Sequence, residues 1–72
     1  MMEEVRDIEQ HLVCCVDAYQ GIIVRTRNKN QERISIQLPV GGQVMFEINS
    51  IYTLIRRLDS GQMYVLSDHL TY

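Results

Sequence analysis

Between residues 2 and 19 the apolar positions Val5, Ile8, Leu12, Cys15, Val16 and Tyr19 recur at steps of three and four, with Arg6, Asp7, Glu9, Gln10 and Asp17 mostly off that stripe. This spacing predicts an amphipathic helix. Glu3 and Glu4 in its first turn suit the positive end of a helix dipole. The run Leu12 to Val16 is also short, apolar and β-prone, so it allows a strand if the helix stops near Gln10, and periodicity over five residues does not decide between the two.

After Gly21 the period changes to two. Ile22, Val24 and Thr26 alternate with Ile23, Arg25 and Arg27, and Ile34, Ile36 and Leu38 alternate with Arg33, Ser35 and Gln37. Between them, Asn28-Lys29-Asn30-Gln31 is polar and rich in asparagine, as a hairpin loop requires. Pro39-Val40-Gly41-Gly42 then turns the chain, and Val44, Phe46 and Ile48 alternate with Gln43, Met45 and Glu47. These runs predict a three-stranded antiparallel meander.

Asn49 or Ser50 can cap a second helix, whose apolar stripe would be Ile51, Leu54, Ile55 and Leu58. Arg56 and Arg57 would occupy its last turn, and Gly61 its left-handed stop. Gln62 to Ser67 reads as a fourth, edge strand. The fold expected is α+β, in the order α-β-β-β-α-β, as a single small domain over residues 1–72. Met63, Tyr64, Val65 and Leu66 are apolar on both faces of that last strand. A small sheet with helices on one side leaves some of them uncovered, so a homodimer joined through these four residues is expected.

Composition narrows the picture. A chain of 72 residues buries only ~60% of its unfolded surface, so its core is thin and a second subunit would help it. Seven Lys+Arg against nine Asp+Glu, a net charge of −2, argue against a strongly basic nucleic-acid binder. The start Met1-Met2-Glu3-Glu4 lacks the basic and apolar regions of a secretory signal, and the longest wholly apolar run falls far short of a membrane span. A cytoplasmic location without membrane attachment is expected, with Cys14 and Cys15 as reduced thiols, because neighbours in sequence cannot staple distant segments.

Candidate chemistry is sparse. His11, Cys14, Cys15 and His69 number four potential zinc ligands, but their spacing does not let them converge. Ser67-Asp68-His69 holds the residue types of a nucleophilic relay, yet consecutive side chains point apart. Cys14 and His11 at i, i+3 on a helix could touch, without any group to form an oxyanion site. Pro39 to Gln43 is glycine-rich but lacks the Lys-Ser/Thr of a phosphate cradle. The acidic group Glu3, Glu4, Asp7 and Glu9 reads as a solvated helix end.

One cluster has a functional alternative. Arg25, Arg27, Lys29 and Arg33 would line one exposed patch of sheet, able to meet an acidic protein surface or phosphates. The function expected by elimination is a small intracellular protein-binding regulator, adaptor or inhibitor. It would act stoichiometrically as a homodimer, in the manner of the small proteins that viral and mobile-element genomes encode. A nucleic-acid-binding regulator using the basic face is the alternative, and a structural subunit of a larger assembly is a second one. No enzymatic activity, cofactor, metal or small-molecule substrate is expected.

Overall fold

The structure, a computed structural model, describes residues 2–27 and 32–71. Among the described residues seven strands follow one another: β1 (Glu3–Arg6), β2 (Leu12–Asp17), β3 (Ile22–Arg27), β4 (Glu32–Gln37), β5 (Gln43–Ile48), β6 (Ile51–Arg57) and β7 (Met63–His69). They form two antiparallel sheets, β1-β2-β3-β4 and β5-β6-β7. The expected α+β fold is therefore overturned: the chain is all-β, and neither helix exists.

The N-terminal stretch makes a hairpin in place of the first helix. Asp7 organises its turn: one carboxylate oxygen accepts the backbone N–H groups of Glu9 at 2.9 Å and His11 at 3.0 Å, and Gln10 adopts a positive φ of 68°. Short acidic side chains offer the backbone this alternative to a helix. The register shifts between Val5 and Arg6, leaving Val13 as the extra residue of a bulge, so that Val13 and its neighbour Cys14 are both buried. Steps of three and four in the sequence thus arise from strand alternation interrupted by a turn and a bulge.

The second helix fails for a related reason. Asn49 and Ser50, expected as a cap, both have positive φ (53° and 64°) and form the two-residue turn of a hairpin in which Ile48 pairs with Ile51. Along β6 burial alternates strictly, with Ile51, Thr53 and Ile55 on the buried side. β-Branched residues at every second position favour a pleated strand over a helix. Gly61 does sit at positive φ (88°), but it closes the β6–β7 hairpin, where its N–H donates to the Leu58 carbonyl at 2.8 Å. Left-handed glycine ends a helix or turns a hairpin equally well.

The strands expected as one meander are divided between the sheets. β3 pairs with β2 and β4, whereas β5 pairs with β6. The Pro39–Gly42 segment carries the chain across, with Leu38 buried at the crossing. The hairpin loop expected at 28–31 lies outside the described residues.

The sheets pack through one shared core. Val5, Val13, Cys14, Val16 and Ile23 of the first sheet meet Ile55 of the second, with Leu38 at the crossing, and Val44, Phe46, Ile48 and Met63 packed around them. Ile23 and Ile55 are fully buried. The molecule measures 31 × 31 × 17 Å, as two stacked sheets should. Among the described residues no helix is long and apolar enough to cross a membrane.

Arg57 and Arg25 face inward and close the ends. Arg57 donates to the carbonyls of Gly61 (3.3 Å), Leu38 (3.0 Å) and Ala18 (3.5 Å), tying three connections together. A Cβ on Gly21 would meet the Arg57 guanidinium and lie 2.9 Å from the Leu38 carbonyl oxygen, and Gly21 also has a φ of 70°, so any side chain there is strained. Arg25 donates to the carbonyl of the bulge residue Val13 at 2.6 Å and lies 6.0 Å from the centre of the Phe46 ring. At the opposite edge, Ile8 N–H reaches Ser67 Oγ at 3.3 Å and His69 Nε2 lies 3.6 Å from Glu9.

Candidate functional site

Arg25 and Arg33, expected side by side in one basic patch, stand on opposite faces of the first sheet. Arg25 follows fully buried Ile23 by two residues, so it turns inward with it, and its guanidinium is engaged by Val13 and Phe46. Arg33 pairs with Thr26, one position away from Arg25, and faces the other side of the sheet. Arg27 ends β3, and Lys29 lies outside the described residues. Arg33 instead borders a shallow groove of about 580 Å³ on the outward face of the first sheet, with Met2, Asp17, Ile22, Val24 and Gln37. Asp17 accepts the Gln20 N–H there at 3.1 Å.

The thiols and imidazoles are also kept apart. Cys14 points into the core, and burial pushes its thiol up to about 11, with a smaller contribution from Cys15 that outweighs the pull of Arg25. It is a packing residue held as the neutral thiol. Cys15 turns outward from the same strand and is half-buried. His11 sits in the first turn, 3.5 Å from Asp7, and His69 is at the other sheet. Ser67 does not address His69: its hydroxyl donates to the Tyr52 carbonyl at 2.8 Å and lies 3.2 Å from Thr53 Oγ1. Among the described residues no three His, Cys, Asp or Glu side chains gather into a metal site.

What the fold does build is an exposed apolar row. In the second sheet Met45 pairs with Leu54 and Leu54 with Leu66, so the three stand side by side across β5, β6 and β7. Residues two positions away share the same face. On one side of the row lie Gln43, Arg56 and Tyr64, and on the other Glu47, Tyr52 and Asp68. Because Ile51, Thr53 and Ile55 point inward, this whole block points to solvent. Met45 is 48% exposed and Leu66 43%, with Leu54 half-buried between them.

The four residues expected at a dimer interface are split by the same alternation. Tyr64 and Leu66 belong to the outward face, whereas Met63 packs against the core and Val65 turns inward at the sheet edge, beside β1. Sequence reasoning missed Met45, Tyr52, Leu54, Arg56, Glu47 and Asp68. Leu54 falls on the expected helical stripe and Met45 on the side of its strand shared with Gln43 and Glu47. The signal present in the chain was the alternation of Tyr52, Leu54 and Arg56 with three β-branched residues.

No protein-family model, curated protein or solved structure matches this chain.

Proposed function

We propose that this protein acts stoichiometrically by binding protein, as a regulator, adaptor or inhibitor, and that its working surface is the outward face of the second sheet. The observation that carries this reading is the Met45–Leu54–Leu66 row, flanked by two tyrosines and by charges of both signs. Contiguous apolar surface with a polar rim, rich in tyrosine and arginine, is the composition of protein interfaces. Two free cysteines on opposite faces of β2 suit a reducing, cytoplasmic compartment.

Photo-crosslinking in cells tests the reading. A photoreactive residue in place of Met45 should give a protein adduct, and the same residue in place of Ser35, on the outward face of the first sheet, should give little. Equal adducts at both positions, or none at Met45, would overturn it.

A further inference from the structure

We propose that the occupant of this face is a second copy of the chain, docked about a two-fold axis that runs along the Met45–Leu54–Leu66 row. This rests on the reading of the face as a protein-binding surface and adds its partner. The supporting observation is the arrangement of charge about the row. The basic residue, Arg56, lies on one side with the neutral Gln43 and Tyr64, and both acids, Glu47 and Asp68, lie on the other with Tyr52. Each flanking row is about 7 Å from the apolar one, two residues along the strand.

Rotation about the apolar row keeps every strand over its own copy and exchanges the two flanks. Met45, Leu54 and Leu66 then meet their counterparts. Arg56 falls over the partner's Tyr52, between the partner's Glu47 and the partner's Asp68, each about 4.8 Å to one side. The guanidinium can donate to both carboxylates across the ring face. Gln43 meets the partner's Glu47 and Tyr64 meets the partner's Asp68, each a donor facing an acceptor. The same contacts occur twice, as an isologous interface demands. A two-fold axis parallel to the strands would instead set Arg56 against the partner's Arg56 and Glu47 against the partner's Asp68. Like charges in contact disfavour that arrangement, so the charge pattern selects the axis.

Nine residues a side make a small interface beside the 20–30 of a standard one, so the dimer is weak and forms at about tens of micromolar and above. Sedimentation of the purified chain should show a mass rising from 8.4 kDa towards twice that value with concentration. Arg56→Glu alone, and Glu47→Arg with Asp68→Arg, should each weaken association at least about tenfold, the size of one lost charge pair. Mixing the two variants should restore the dimer, because each then supplies the sign the other lacks. Met45→Asp, at an exposed position, should abolish association in a chain that still unfolds at the wild-type urea midpoint.

A wild-type chain that stays at one-chain mass at several hundred micromolar would overturn the proposal, as would two variants that remain monomeric when mixed. An adduct at Met45 with a different protein, from a chain that is monomeric, would overturn self-association and leave the binding surface standing. No adduct at Met45 would remove both.

Discussion

On the outward face of the first sheet the apolar side chains at the centre lie low, although Leu12 of β2, paired with Arg6, is 49% exposed. Val24 is only 8% exposed, Ile22 is half-buried, and Arg33, Ser35 and Gln37 stand around them. Arg6 and Glu4 add an ion pair at 3.0 Å on the same side. The second sheet presents three large side chains outward, Met45, Tyr64 and Leu66, each more than two-fifths exposed. Both sheets nevertheless deliver the same kind of inward face to the shared core. Folding makes its heaviest demands on the inward faces, because those lose most of their water when the sheets close. An outward apolar row contributes nothing until something covers it, so the second sheet carries a surface that the fold itself does not explain.

The contrast between inward and outward neighbours can be broken most directly on β6. Ile55 is fully buried, and Ile55→Ala should cost about 2–5 kcal/mol, enough to unfold much of so small a domain. Leu54→Ala, one residue away on the outward face, should cost under about 1 kcal/mol in the dilute monomer. Urea unfolding at low micromolar concentration measures both. Equal losses would mean that the outward row is part of the core.

A smaller effect separates the arginines. Arg57→Ala removes the donor shared by the Gly61, Leu38 and Ala18 carbonyls and should cost about 1–3 kcal/mol. Arg33→Ala, on the outward face of the first sheet, should change stability by about 0.5 kcal/mol or less. If the two variants share one urea midpoint, the three-way tie does not hold the connections.

The smallest expected effect is in acid. Burial tends to raise the pKa of Asp7, but the N–H groups of His11 and Glu9 and the adjacent imidazole outweigh it, leaving the carboxyl below its ordinary 3.8. A carboxyl lowered by folding contributes stability above its unfolded value and loses it as pH falls through its folded one. Stability should therefore decline below pH 3.8 in the wild type and decline less in Asp7→Asn. Identical acid profiles would show that the turn does not depend on the charge.

The strands at β3, β4, β5 and β7 were legible because each is a short alternating or apolar run bounded by polar, glycine or proline residues. Both stretches of helical spacing are strands. In β6 the outward Leu54 completed a helical stripe with Ile51, Ile55 and Leu58, and a surface residue was thereby counted as core. In the first hairpin the Val13 bulge shifted the alternation, giving Val5, Leu12, Cys15 and Val16 a helical spacing by coincidence. The Arg25–Arg33 patch failed on phase. Ile22, Ile23 and Val24 are all apolar, so the residues themselves did not say which of Arg25 and Thr26 faces outward.

What the amino-acid chain determined alone is the set of places where it must turn and the runs that alternate, since glycine, asparagine and proline act through their own backbone limits. Which strands share a sheet, and which side of each strand meets the core, depended on partners distant in sequence. Arg56 and Arg57 show the reason most simply. They are identical neighbours, and only the packing of β6 over the first sheet makes one an internal tie and the other an exposed side chain.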